Sequence, residues 1–258
     1  MSHWRTALRA AVVAPLVVVL GCSADEPEVA EPPNDAGRAA NEIQGGEGGE
    51  GAGGADDAVL VAASAEDLQV WESPNDDEPA VETVRADRQI SGEVVAVVVA
   101  ERGLDWLEVE LPTPPAGHTG WIKRADVTLS RHRFRIEVSL SGHALTLYAG
   151  EAEALRAPVA IGTADGPEPG ANLFIKDLVE PPNPAGPYAR YAYGLSGSAN
   201  DLAAFQAGRG VVAIHGVADP STLGRDVPTG SIAVAPDIMS RMVETYGLPL
   251  GTPVDVVE

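Results

Sequence analysis

Cysteine is all but missing from this 258-residue chain: Cys22 is the only one. An intrachain disulfide is therefore excluded, and so is a cysteine-rich metal site. Basic residues are also scarce. The chain has 17 Lys and Arg against 38 Asp and Glu, a formal net charge of −21. Nucleic-acid binding needs a basic surface to displace counterions, so that class of partner is excluded. The chain has only 5 histidines, and the spacing of His118, His132, His143 and His215 makes no metal-ligand set. No internal repeat and no phosphate-binding glycine loop occurs. Neither a metal nor a cofactor is expected.

At the N-terminus, Arg5 and Arg9 precede eleven uncharged residues at positions 10–20, and "VLGC" follows. Eleven residues are too few to span a bilayer but suit the apolar core of an export signal. The Gly21–Cys22 pair resembles a bacterial lipobox, which implies a signal peptide at 1–21 and lipidation of Cys22. The mature protein would then be a membrane-anchored lipoprotein of the cell envelope, facing the periplasm or the outer surface. Residues 23–57 carry ten carboxylates against Arg38 alone and have almost no large apolar side chains. Such a segment cannot bury enough surface to offset its ordering entropy. Residues 22–57 therefore read as a lipid-anchored, disordered acidic tether, spanning roughly 30–35 Å.

From residue 58 to 130 the pattern is short β-runs with turn punctuation. "VVAVVVA" is a buried strand and "RGLD" turns the chain. In "WLEVEL", Leu107, Val109 and Leu111 alternate with Trp106, Glu108 and Glu110. The arrangement of "WLEVELP" and "GHTGWI" resembles bacterial SH3-like domains. Trp106 and Trp121 suit core packing, with a peptide groove as the other reading.

From residue 131 to 258 the chain is again β-rich. "RFRIEVSLSGHALTLYAG" reads as a hairpin, and "RAPVAIGT", "NLFIKDLV", "GVVAIHG" and "GTPVDVVE" read as strands. "PPNPAGPYARYAYGLSG" is too rich in Pro, Gly and Tyr for regular structure and reads as an ordered loop or wandering edge. "APDIMSRMVETYGLP" predicts a helix: Pro236 suits its first turn, Ile238, Met239, Met242, Val243 and Tyr246 form its apolar face, and Gly247 ends it.

Residues 133–257 resemble the YkuD-type L,D-transpeptidase domain. The resemblance is carried by "FRIEVSLSGHALTLYAGEAEALRAPVAIGT", "LFIKDLVEPPNPAGPYARYAYGLSG" and "IHGVADPSTLGRDVPTGSIAVAPDIMSRMVETYGLPLGTPVDV". It implies a fold that is mainly β: a small SH3-like β-barrel over 58–130, then a β-rich L,D-transpeptidase-like domain over 131–258. One main helix follows the active-site loop. It also implies peptidoglycan stem peptides as ligands. In the family a cysteine attacks the donor peptide, and the acyl group passes to an amine.

The family motif is "[IV]HG" followed by "[ST]HGC[IV]R". Here His215 matches the first histidine, and Gly216 follows it. In the second block Pro228 stands at the Ser/Thr position, Thr229 at the second histidine, Ser231 at the cysteine and Ala233 at the arginine; Gly230 and Ile232 match. Gly230 and Ser231 could still offer backbone N–H groups to an oxyanion, and His215 could still act as a base. A serine hydroxyl is a far weaker acid than a thiol and must lose its proton during attack. Losing one member of a catalytic set costs on the order of 10⁴–10⁶ in rate. The favoured expectation is a degenerate member that binds stem peptides, or a wall enzyme, without cysteine catalysis. The alternative is an acyltransferase or hydrolase with Ser231 as nucleophile and His215 as base. Asp219 and Asp226 are the nearest acids that could orient His215, although both sit in turn-like sequence. By the resemblance, Tyr188 and Tyr191 lie near the substrate cleft, beside Gly216.

Overall fold

The structure is a computed structural model that describes residues 58–164, 166–181, 190–198 and 212–258. The signal segment, Cys22, the tether and Tyr188 lie outside the described residues. The described residues form one compact unit.

The first seven strands are β1 (Val59–Ser64), β2 (Leu68–Val70), β3 (Glu82–Val84), β4 (Val94–Arg102), β5 (Trp106–Glu110), β6 (Thr119–Lys123) and β7 (Thr128–His132). Five of them make one antiparallel sheet in the order β6-β5-β4-β1-β7, and β2 and β3 form a separate hairpin. A bridge between Trp71 and Trp121 ties that hairpin to β6. Leu107, Val109 and Leu111 are wholly buried. That is the outcome of period-two alternation in a strand with one covered face. The result is a small β-barrel, which passes through Arg133 alone into the next strand.

The remaining strands are β8 (Phe134–Ser139), β9 (Ala144–Ala149), β10 (Ala152–Gly162), β11 (Asn172–Val179), β12 (Ala192–Leu195), β13 (Ala213–Gly216), β14 (Asp226–Val227), β15 (Ile232–Val234) and β16 (Pro253–Val257). Their order is β14-β10-β15-β13-β12-β11-β16-β8-β9, and β9 pairs again with β10. The ladder therefore closes on itself. One face, with Ile136, Leu147, Ile175, Tyr193, Ile214, Ile232 and Val254, forms the main core. Each such fully buried aliphatic or aromatic side chain contributes about 1.5–3 kcal/mol.

The helix predicted from Pro236 is present as α1 (Pro236–Ser240), which widens into a π turn at Arg241–Thr245. Met239 and Met242 face the core. Gly247, at φ 56°, lets the chain reverse there. The segment read as irregular is a different matter. Ala192–Leu195 is a buried strand between β11 and β13. Four residues reading Ala-Tyr-Gly-Leu are too few to display a period, and the Pro-rich stretch before them masked the strand.

The barrel packs on the outer face of the second sheet. Val61 and Val95 of the barrel meet Phe174 of β11, and Ile90 packs on Val179, Ala192 and Ala213. Gly251 has φ +86° and approaches Val61 so closely that a Cβ would lie 2.5 Å from its Cγ2. The Ser91 N–H donates to Asp177 Oδ1 at 2.9 Å, joining the two bodies across the same face.

Candidate functional site

His215 and Ser231 lie on adjacent parallel strands. Ile214 pairs with Ile232 and His215 with Ala233. Ile214 and Ile232 point into the main core, so His215 and Ala233 point to the outer face. Ser231, two residues before Ala233, continues the ladder because its carbonyl accepts from Gly162 N at 2.9 Å. His215 and Ser231 therefore share the outer face, offset by one strand and two residues, which is about 8 Å between Cα atoms. Both are buried, at 8% and 5% exposure, although Thr229, two residues before Ser231 in the loop, is exposed.

Gly162 is what lets this loop close. A Cβ there would stand 2.3 Å from Thr229 O and 2.5 Å from Ser231 N. Only a residue without a side chain allows β10 to pass so close to the turn at 229–231. Two further bonds pin the turn: Ala164 N donates to Thr229 O at 2.9 Å, and Thr229 N donates to Val227 O at 2.8 Å.

The His215 ring is oriented by backbone. Its Nδ1 lies 2.9 Å from Gly216 O. A carbonyl only accepts, so Nδ1 carries the proton and Nε2 carries the lone pair of the neutral ring. Burial holds the ring below its usual pKa, partly offset by that bond. Neither acid named from the sequence orients it. Asp219 caps its own turn by accepting from Ser221 N at 3.0 Å, and Asp226 Oδ1 lies 3.0 Å from His143 Nε2.

Tyr191 goes elsewhere. Ala192 pairs with His215 and shares its face, so Tyr191 turns to the core side. There its hydroxyl donates to Glu244 Oε1 at 2.8 Å, and Arg190 stacks on its ring at 4.7 Å. Tyr191 thereby helps to seat the helix through Glu244. Trp106 is buried, with the Lys123 ammonium over its ring, whereas Trp121 is half-buried. Among the described residues no group of His, Cys, Asp and Glu is arranged to hold a metal.

Sequence reasoning missed Gly162 and the pair Lys176–Asp177. Both members of the pair are buried, at 2% and 0% exposure. Lys176 Nζ donates to Ser198 O at 2.8 Å, and burial pushes its pKa down to about 8 against the attraction of Asp177. Asp177 aligns with Gly194, which aligns with Ala213, so its carboxylate lies in the row that leads to Ser231. The sequence signal was the charge pair in an otherwise apolar run, "LFIKDLV".

No protein-family model matches the chain, and no curated protein sequence matches it. Solved structures do. The chain is similar to the Enterococcus faecium L,D-transpeptidase at 23% identity, over 48% of this chain and 49% of that one, with a TM-score of 0.35. It is similar to Bdellovibrio bacteriovorus Bd1075 at 21% identity, over 49% of each chain, with a TM-score of 0.36. The likeness to L,D-transpeptidase 3 from Mycobacterium tuberculosis is 15% identity, over 64% of this chain and 92% of that one, with a TM-score of 0.38. The chain thus spans about half the length of the first two, and its structural neighbours include L,D-transpeptidases at low identity.

Proposed function

We propose that this protein is a cell-envelope lipoprotein of the L,D-transpeptidase type that binds peptidoglycan stem peptides without cysteine catalysis. In this reading Cys22 carries the lipid, residues 22–57 are the tether and residues 58–130 form an SH3-like module. The observation that carries it is the pairing of a retained frame with an exchanged nucleophile. His215 and Ser231 sit diagonally on one sheet face, yet the side chain at the cysteine position is a hydroxyl. A neutral imidazole does not raise the acidity of a serine as an imidazolium does that of a thiol. Thr229 and Ala233 leave the neighbouring positions without a titratable group. Binding needs none of these, only the face and its backbone donors.

The test is retention of the protein lacking residues 1–22 on purified peptidoglycan sacculi. Saturable retention, competed by soluble tetrapeptide, is expected. Loss of retention under conditions where the protein stays folded overturns the reading.

One observation favours a second reading, in which Ser231 is the nucleophile. With Nδ1 committed to Gly216 O, His215 presents the lone pair that a general base requires. Incubation with muropeptide tetrapeptides, followed by intact-mass measurement, decides it. A covalent acyl adduct or release of the terminal alanine supports serine chemistry, and absence of both rejects it.

A further inference from the structure

The barrel holds a cavity of about 400 Å³ lined by Asp76, Leu104, Asp105, Lys123, Arg124 and Ala125. We propose that it binds the end of a small peptide that carries a free carboxylate and a free ammonium close together.

The cation on the cavity wall is fixed by aromatic rings. Lys123 Nζ lies 3.6 Å from the centre of the Trp106 ring and 5.8 Å from that of Trp71. The two indoles meet edge to face, 5.3 Å apart. This arrangement holds the ammonium independently of any carboxylate. Its ion-pair partner is Asp76, whose side chain is 74% exposed against 21% for Lys123. An exposed partner of this kind contributes little and exchanges readily. Asp76 thus occupies the place of an anion on a prepositioned cation, and a ligand carboxylate can displace it.

The remaining charges select the other end of the ligand. Arg124 is engaged by Glu101 at 2.9 Å, and Glu101 is 44% exposed against 74% for Asp76, so Lys123 is the more readily exchanged of the two cations. The carboxylate of Asp105 makes no ion pair among the described residues and is exposed at the cavity. One exchangeable cation and one uncommitted anion favour a dipolar ligand over a purely anionic or cationic one. Leu104, 84% exposed on the β4–β5 turn, gives the methyl or methylene groups between the two charges an apolar wall. The volume lies at the small end of ligand sites, which suits one or two residues rather than a folded partner. The site is independent of any chemistry at Ser231.

The test uses the full chain and the dipeptide alanyl-alanine, with its C-terminal amide and its N-acetyl derivative as controls, followed by tryptophan fluorescence and calorimetry. Saturable binding of the free dipeptide is expected, with each blocked form about tenfold weaker. Asp76→Asn should tighten binding several-fold by removing the internal competitor, whereas Lys123→Met should abolish it while keeping the apolar stem on Trp106. Equal binding of free and blocked peptides, weaker binding by Asp76→Asn, or no saturable signal at millimolar dipeptide overturns the proposal. Loss of sacculus retention with dipeptide binding intact counts against the proposed function alone.

Discussion

His215 donates its Nδ1 proton to the carbonyl oxygen of Gly216, the next residue in the chain, at 2.9 Å. That partner is a backbone group at the end of β13, and Asp219 and Asp226 are bonded to Ser221 and His143 instead. Burial then keeps it neutral at physiological pH. A neutral ring can accept a proton but cannot stabilise a neighbouring anion by charge.

Ser231→Cys tests what that neutrality means. The introduced thiol gains no imidazolium partner and sits in a buried position, so it should titrate at or above its ordinary value of about 8.5. Acylation by an activated peptide ester should appear in the variant and rise through pH 8. The check is the rate of adduct formation by intact mass across pH. A rate already flat below pH 7 would show an activated thiolate and contradict the neutral-ring assignment.

Gly162→Ala should disturb the loop while leaving the sheet order intact. The added methyl meets Thr229 O and Ser231 N, both backbone atoms that cannot rotate away. Overpacking of this kind costs about 1–3 kcal/mol. The expected result is a Tm lowered by roughly 2–10 °C, with amide shifts concentrated at 227–233. An unchanged Tm would mean that β10 yields easily at this point.

Asp177 separates a hydrogen bond from a charge. Its Oδ1 accepts from Ser91 N, whereas its Oδ2 is buried without a hydrogen-bond partner. Asp177→Ala removes the acceptor and should destabilise by about 1.5–3 kcal/mol, with faster hydrogen exchange at Ser91. Asp177→Asn keeps an acceptor for Ser91 N and removes the buried charge, so its cost should be clearly smaller. Equal losses in both variants would show that charge, not the Ser91 bond, is what the barrel contact uses.

The hairpin, the terminal strand, the helix and the barrel strands were legible because their apolar residues recur at period two or on one helical face. Leu107, Val109 and Leu111 are the clearest case. β12 was not legible because Ala192–Leu195 is short and follows a Pro-rich run. His215, Gly216, Gly230 and Ser231 could be named from motif spacing, but their facing could not: the His215–Ala233 register depends on a parallel pairing of two distant strands. Tyr191 shows the limit from the other side, since a one-residue alternation sent it to the helix and away from His215. Asp177 and Gly162 gain their importance only from what packs on them, Ser91 in one case and the 229–231 turn in the other.

The pH dependence of stability follows from buried groups with opposite signs. Burial holds His132 and His215 below the ordinary 6.5. Between the folded and ordinary values the unfolded chain binds protons that the folded chain refuses. Their effect is therefore absent above about 6.5, and stability is lost as the pH falls from there toward the folded values. Glu110 and Asp255 are raised above 4.5 and 3.8 by burial, so the folded chain keeps their protons longer. They favour the fold at low pH, and that contribution is lost as the pH rises past those ordinary values. The histidines thus set the slope just below neutrality. Tm should fall as the pH drops from about 7 to 5.5, and His132→Gln, which removes one of the two groups, should flatten that slope. A slope unchanged in His132→Gln would place the proton uptake at His215 alone, and a Tm that rises with acidification over this range would refute the assignment for both rings.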